Sequence, residues 1–570
     1  VTALDQPDLV LAATSLPDWP AWLRACSIDI ESNPAQDNRI FRLAALRGDR
    51  DACVDLHVLR TRPDDVRQRL DEVAAGARFV VGHNLRRHDL PLLARQYPGL
   101  QCLGLQLIDT LELSALAFPR NPYHRLVKGY KLVSEARSEP LLDARLALEL
   151  LADEIQTFEA LHAADPAWCG TLHALLQHDS ALDALFTRIR SASAPDAAAV
   201  RAAVHAGFAN HCCSTRLERL GDEELAGDVG LRWPIAYALS WLRVAGGNSV
   251  LPAWLYASVP AVRDLIRELR ETRCPDPACR YCARQHDPEG LLRHHFDKPG
   301  FRSQPAAPAG GSLQREIVVA GLARQSLLAV LPTGGGKSIG YQLPALAHYA
   351  RSGRLTVIVS PLQSLMKDQL DNLVAAGVHC AVTINGLLTP PERRAALDKI
   401  RLGDAGIVLV SPEQFRNRAF AEAVRLRQIA TWVFDEAHCL SKWGHDFRTD
   451  YLYVARFIRE HFAEQLAPVA CFTATAKPEV IDDLASHFAG ELGLTLQRFL
   501  GGHERRNLDY RVIRTTRAEK AQRIVEMVAA SLREGGSAVV FCATRKSTET
   551  FAELLRHGGL RCEHFHGGLE

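Results

Sequence analysis

The sequence predicts a multidomain α/β chain. Three observations carry that reading. An apolar run from Leu327 to Leu331 feeds a glycine-rich turn and then a helix opened by Lys337 and Ser338. Strand–turn patterns recur after it, at Ser360 and at Ser411. Far upstream, the apolar run CSIDIES carries Asp29 and Glu31 two residues apart. The chain has 570 residues, room for several domains at ~150 residues each. Hydrophobic residues make up 47% and charged residues 23%, the balance of a globular chain. A net charge of +1 neither favours nor excludes a polyanion, so nucleic acid would have to meet local basic patches.

The N-terminal elements follow in order. After a loop holding Trp19 and Trp22, CSIDIES reads as a buried strand. Residues i and i+2 share a face, so Asp29 and Glu31 point the same way. Two carboxylates on a buried strand are costly unless a cation neutralises them. Arg39 to Leu46 reads as the neighbouring strand, and Phe79 to Val81 as another. The loop after it leads to a helix bearing Asp89. LIDTLELSALAFP is strand-like. SEPLLDARLALELLADEI reads as a helix with Pro140 and Asp143 in its first turn, capped by Ser138 or Glu139.

The acids Asp29, Glu31, Asp89 and Asp143, with their GHN and DAR contexts, resemble the D-E-D-D set of 3′–5′ exonucleases. The resemblance implies a ribonuclease-H-like fold and two divalent metals, Mg²⁺ or Mn²⁺, held by the four acids. That family carries a His five, or a Tyr four, positions before the last Asp. Ser138 and Glu139 stand there in this chain. Tyr123, His124 and Tyr130 are the substitutes in the preceding loop, His124 first.

From Phe158 to Leu292 the chain is Ala/Leu/Arg-rich with helical periodicity, a helical connecting domain. Near its end, Cys274, Cys279 and Cys282 have metal-ligand spacing. His286 is the expected fourth ligand of a structural Zn²⁺, with His294, His295, Cys212 and Cys213 as rivals. Residues 297–312 are rich in Pro, Gly, Ala and Ser and read as a linker.

The glycine-rich turn Thr333, Gly334, Gly335, Gly336, followed by Lys337 and Ser338, has the strand–loop–helix setting of a phosphate-binding loop. Its N–H groups would converge on phosphates, Lys337 would reach the β- and γ-phosphates of ATP, and Ser338 would sit on Mg²⁺. TWVFDEAHCL ends a buried strand in Asp435 and Glu436, where a metal and an attacking water belong. CFTATA places Thr473 and Thr475 on a polar turn. SAVVFCATRKSTETFAELL reads as strand, turn and helix opening a second lobe.

This series resembles superfamily 2 helicases and, more closely, the RecQ family of DNA helicases. DEAHCLSKWGHDFRTDY carries the resemblance most specifically. It implies an aromatic-rich loop of Trp443, Phe447 and Arg448 that couples single-stranded DNA to the ATP site. It also implies an adenine-reading Gln314, RecA-like lobes, 3′→5′ translocation and a role in DNA repair or recombination. An RNA helicase is the alternative, as is an exonuclease-like domain that only grips DNA. The expected division is 1–158 exonuclease-like, 159–295 helical, 296–313 linker, 314–500 first lobe and 501–570 start of a second lobe. The arginine that completes the ATP site is expected beyond Glu570. The chain opens on Val1, holds only Met366 and Met527 as methionines, and reads as a fragment of a bacterial multidomain protein. Its 14 cysteines show no short disulfide framework, and no signal peptide or membrane-length apolar run is visible. A reducing bacterial cytoplasm and no membrane partner are the corresponding expectations.

Overall fold

The apolar, mostly buried run from Ala25 to Ile30 builds the first strand of an N-terminal sheet in this computed structural model. The described residues are 19–20, 22–121, 139–220, 229–244, 251–443, 448–474, 477–501, 508–516, 518–533 and 535–568. They fall into two units, Val1–His503 and Glu504–Glu570.

The N-terminal sheet comprises β1 (Ala25–Asn33), β2 (Arg39–Arg47), β3 (Cys53–Leu56), β4 (Phe79–Gly82) and β5 (Gln106–Asp109). Their spatial order is β3-β2-β1-β4-β5. β2 runs antiparallel to both β1 and β3, whereas β4 runs parallel to both β1 and β5. The period-2 alternation sends Ile28, Ile30 and Val80 to one face, against Val66 and Leu70 of the helix Pro63–Ala74. Ala25, Phe79 and Val81 face the other way, onto Ala144, Leu148 and Leu151 of the helix Pro140–Ala164. Asp29 and Glu31 share the face of Ala25 and so look toward the helix that carries Asp143.

Three expectations change here. The strand-like LIDTLELSALAFP is a strand only to Asp109, whose side chain accepts the Leu111 N–H and starts the helix Thr110–Ala117. Glu139 occupies the cap position of the helix Pro140–Ala164 but makes no side-chain cap hydrogen bond; Ser138 lies outside the described residues. The expected boundary at 158 falls within that helix. Its apolar face continues into one core with Trp168, Leu185, Phe208 and Leu239 of the connecting helices.

Residues 297–312 pack more tightly than a linker composition suggests. Ala306 and Ser312 bridge each other across Gly310 and Gly311, both at positive φ. Ser312 then caps the helix Leu313–Leu322 through the Arg315 N–H.

The second sheet is formed by β6 (Leu327–Val330), β7 (Leu355–Val359), β8 (Ala381–Ile384), β9 (Ile407–Val410), β10 (Ile429–Phe434), β11 (Val469–Thr473) and β12 (Gln497–Leu500). Every pairing is parallel, in the order β12-β6-β11-β10-β7-β9-β8. A parallel sheet needs crossovers and is covered on both faces, which explains strands as uniformly apolar as IVLV and LTVIV. Leu328 and Val330 serve one core, Leu327 and Ala329 the other. The strand C-termini then gather β6, β10 and β11 along one edge.

In Glu504–Glu570 the described elements are the helices Lys520–Arg533 and Arg545–His557. SAVVF, expected as a strand, has no strand partner among the described residues, and Val539 and Phe541 stand exposed.

Candidate functional site

The phosphate loop leaves β6 through Pro332 and Thr333 and enters the helix Lys337–Ser352. Gly334 and Gly336 both adopt φ near +81°, a region that side chains other than glycine's rarely occupy. Gly336 is required twice over, because a Cβ there would meet the Gln314 side-chain nitrogen. That glutamine is buried. Its Nε2 donates to the Gly336 carbonyl (3.0 Å) and its Oε1 accepts the Arg302 N–H (2.9 Å). The Arg302 guanidinium closes on the Gly334 carbonyl. Arg302, from the segment expected as a linker, and Gln314, from the helix that follows it, thus brace the loop.

Across the sheet edge, Asp435 and Glu436 follow β10. Glu436 is held in the left-handed region at φ 47°, a conformation that costs a non-glycine residue on the order of 1–3 kcal/mol. The turn aims its carboxylate at Lys337, Nζ to Oε1 2.9 Å. His438 lies 3.3 Å from its other oxygen and 3.0 Å from the Thr473 hydroxyl at the end of β11. Burial works to raise the Glu436 carboxyl, but His438 and Lys337 overrule it and hold it at about 2. Asp435 is more deeply buried, which raises its carboxyl, and the Glu436 charge pushes the same way. Gln369 donates to Asp435 Oδ2 at 3.1 Å, and the Tyr451 hydroxyl donates to its backbone carbonyl at 3.0 Å. A buried carboxylate with a raised pKa beside a phosphate loop is what a divalent cation would neutralise.

The segment after Glu436 is pinned at both ends. Trp443 N–H donates to the Ser441 hydroxyl, and Arg448 donates to the Cys439 carbonyl through its backbone and to the Pro361 carbonyl through its guanidinium (2.8 Å). The Trp443 side chain is 71% exposed, which removes it from the core. Phe447 lies outside the described residues, as does Thr475.

In the N-terminal domain, Asp29, Glu31 and Asp143 offer carboxylate oxygens that all lie within 4.8 Å of one another. Asp89 does not join that group. It is buried, and its Oδ1 is taken by His88 Nδ1 at 2.6 Å. Burial raises the Asp89 carboxyl despite His88, and Asp109 and Glu31 add to the rise. The loop bearing Tyr123, His124 and Tyr130 lies outside the described residues.

The cysteine cluster needs a correction. Cys274, Cys279 and Cys282 come together with Cys213, their sulfurs all within 4.8 Å of one another. His286 is turned away, its Nε2 3.1 Å from the Arg270 carbonyl. Burial is the main cause that lowers its imidazole to about 4. The short helix Arg280–Gln285 sets that direction, carrying Cys282 toward the thiols and His286 off its far end.

Sequence reading missed Gln369, Tyr341 and His438 as site residues and ranked Cys213 among the rivals. Gln369 and Tyr341 touch Asp435 across 66 and 94 residues of chain, so no local spacing announces them.

A glycine-rich loop at the end of one parallel strand, facing an Asp–Glu pair at the end of another, is the arrangement of a nucleotide-binding α/β domain. Consistent with that class, residues 312–484 match the DEAD/DEAH box helicase family. The relatives narrow the likeness to the RecQ type. ATP-dependent DNA helicase RecQ of Bacillus subtilis is 34% identical over 285 residues, 50% of this chain and 44% of that protein. RecQ of Haemophilus influenzae is 33% identical over 258 residues, 45% of this chain and 39% of that protein. The probable ATP-dependent DNA helicase RecS of Bacillus subtilis is 36% identical over 259 residues, 45% of this chain and 49% of that protein. The chain therefore spans less than half the length of these relatives. Among the described residues, no helix is long and apolar enough to cross a membrane.

Proposed function

We propose that this chain carries the ATP-hydrolysing part of a RecQ-type DNA helicase acting in bacterial DNA repair or recombination. The observation that carries the reading is the 2.9 Å closure of Lys337 on Glu436 beneath the braced glycine loop. ATP phosphates entering the loop would draw Lys337 off Glu436 and free that carboxylate to orient water. Ser338 and Asp435 would hold Mg²⁺, whose bound charge stabilises the phosphoryl oxygens during transfer. Gln314 would hold the loop while reading adenine. Trp443, exposed beside this site, would stack on unpaired bases, and Arg448 would transmit that contact through Pro361 and Cys439. Single-stranded DNA or DNA with single-stranded tails is the proposed partner, with 3′→5′ travel.

The N-terminal domain supports a second reading, a two-metal 3′–5′ exonuclease-like module of ribonuclease-H type. The strand order β3-β2-β1-β4-β5 and the convergence of Asp29, Glu31 and Asp143 favour it. Those three acids would hold Mg²⁺ or Mn²⁺, with Asp89 joining once His88 releases it. The expected activity is weak, metal-dependent removal of 3′ nucleotides, and end-binding without hydrolysis is its alternative. A structural Zn²⁺ at the cysteine cluster completes the cofactor set.

The test is ATP turnover by the whole protein with and without single-stranded DNA, beside digestion of 3′-labelled DNA with Mn²⁺. Lys337→Ala should abolish the first and leave the second, and Asp29→Ala the reverse. ATP turnover in Lys337→Ala at the parent rate would overturn the motor reading. Stimulation by RNA and not by DNA would move the partner to RNA.

A further inference from the structure

We propose that Cys213, Cys274, Cys279 and Cys282 bind one zinc ion as a four-thiolate set, and that this knuckle anchors the far end of the phosphate-loop helix. The proposal deepens the zinc reading above and does not depend on the helicase reading.

The ligand set follows from distance. Four thiolates around one zinc at about 2.3 Å lie about 3.8 Å apart along the edges of the tetrahedron. Cys213 and Cys279 sulfurs stand 4.0 Å apart, and all four fall within 4.8 Å. A four-iron cluster sets each thiolate on a different iron and would spread them to roughly 6 Å or more. All four cysteines are free of disulfides and buried. Ser214 Oγ lies 3.6 Å from the Cys279 sulfur, an outer donor of the kind that supports a ligating thiolate. Among the described residues, these cysteines also form a separate small core whose only other member is Tyr281. Five residues cannot bury enough apolar surface to fold a knuckle, so a metal is the natural staple.

The anchoring follows from what surrounds the knuckle. Cys213 N–H donates to the Leu269 carbonyl, tying the first ligand to the turn Arg267–Glu271. Arg270 in that turn donates to the Tyr281 hydroxyl at 3.0 Å and to the Ala350 carbonyl at 3.1 Å. Ala350 lies in the last turn of the helix Lys337–Ser352, where carbonyls lack intrahelical partners and a cation is favoured. Glu271 forms a buried ion pair with Arg354 at 2.8 Å, just past the helix. Arg351 reaches the Gln285 carbonyl from the same turn. One end of this helix holds the phosphate lysine, and the other is clamped by the residues that the knuckle positions.

The experiment uses the whole chain. Metal analysis should return about one zinc per chain. Replacing zinc with Co²⁺ gives thiolate charge-transfer absorption, expected to fall by about a quarter in Cys213→Ser, one ligand of four, and to be unchanged in His286→Ala. Should Cys213→Ser fail to fold, Cys213→His keeps a donor and should shift the cobalt spectrum instead. Hydrogen exchange at residues 345–355 should then speed up on the order of tenfold on zinc removal. Arg270→Gln should reproduce that change while retaining zinc. Iron and inorganic sulfide in place of zinc, or a cobalt spectrum indifferent to Cys213, would overturn the ligand set. A folded chain without metal would sink the zinc reading itself. Zinc bound normally, with unchanged exchange at 345–355 after its removal, would overturn the anchoring alone.

Discussion

The two acidic sites of this chain solve opposite problems. In the parallel-sheet domain, Glu436 closes on Lys337 at 2.9 Å and on His438 at 3.3 Å. In the mixed-sheet domain, Asp29, Glu31 and Asp143 bring carboxylate oxygens within 4.8 Å of one another. The first site carries its own cations and is organised before any ligand arrives. The second gathers like charges and gains most from an added cation. The difference follows from position. A parallel sheet brings a helix N-terminus and a neighbouring strand end to one edge, so lysine and glutamate meet. Alternate positions of one strand, by contrast, place Asp29 and Glu31 on the same face, side by side.

The largest expected effect breaks the comparison at chemistry. Lys337→Ala and Glu436→Gln should each lower ATP turnover by orders of magnitude, as loss of a phosphate-charge or water-orienting group does. They should part company on binding: Glu436→Gln retains nucleotide, whereas Lys337→Ala loses it. Equilibrium binding of a fluorescent ATP analogue beside steady-state turnover checks both. Parent-like turnover in either variant would remove that residue from the site.

A smaller effect sharpens the comparison in stability. Glu436→Gln leaves the Lys337 ammonium, 14% exposed, without its charged partner. Loss of about 1–3 kcal/mol is expected in denaturant unfolding without nucleotide. Glu31→Gln removes one of three crowded charges and should be neutral or stabilising in the absence of divalent ions. Adding Mn²⁺ at about 100 times its dissociation constant should stabilise the parent by about 2.7 kcal/mol and Glu31→Gln by much less. Both substitutions destabilising the metal-free protein equally would erase the distinction.

Smaller again is Trp443→Ala. Its ring is exposed, so stability should change by less than ~0.5 kcal/mol. Stimulation of ATP turnover by single-stranded DNA should fall, because a stacked base is worth about 1–3 kcal/mol. An unchanged stimulation ratio would leave Trp443 without a role in coupling.

How far the sequence reaches follows the same division. The phosphate loop and the Asp435–Glu436 pair are legible because each is contiguous, and strand–loop–helix order alone fixes their setting. Asp29 and Glu31 are legible from period-2 alternation, and Asp143 through the family resemblance that its DAR context carries. What escaped was set by side-chain orientation and by tertiary approach. His88 takes Asp89 by a side-chain contact that the run GHNLRRHD does not announce. Cys213 reaches the other thiols only through the fold of the connecting helices, so the nearer His286 looked the better ligand. The strand expected at SAVVF had the right composition, but a strand exists only with a neighbour to pair with.

The smallest expected effect concerns acid, and the two regions should answer it with opposite sign. Burial raises the carboxyl of Asp89 above its ordinary 3.8, and burial raises fully enclosed Glu154 further, against a 2.6 Å hydrogen bond from Ser114. These groups bind a proton more tightly folded than unfolded. Stability therefore rises as pH falls through their raised folded values toward the ordinary carboxyl range. His88 adds to the trend, since its hydrogen bond to Asp89 raises it above 6.5 and that contribution is lost as pH rises. On the motor side Glu436 and Glu271 reverse the order, opposed by Asp435, whose carboxyl burial raises. His438 and Lys337 overcome burial to hold Glu436 at about 2. Arg354 likewise overcomes burial and holds Glu271 well below 4.5. Their contributions are complete above the ordinary glutamate value and disappear as pH falls from there toward the folded values. Between pH 7 and pH 4, regional opening free energies should therefore diverge. Residues 25–117 should become harder to open and residues 327–473 easier. Hydrogen exchange corrected for the intrinsic rate at each pH reads both regions in one sample. Ser114→Ala removes the hydrogen bond to Glu154 and should steepen the N-terminal trend, because that bond favours the ionised form. His438→Gln should flatten the motor trend. Parallel slopes in the two regions would show that these local charge arrangements do not govern the acid response.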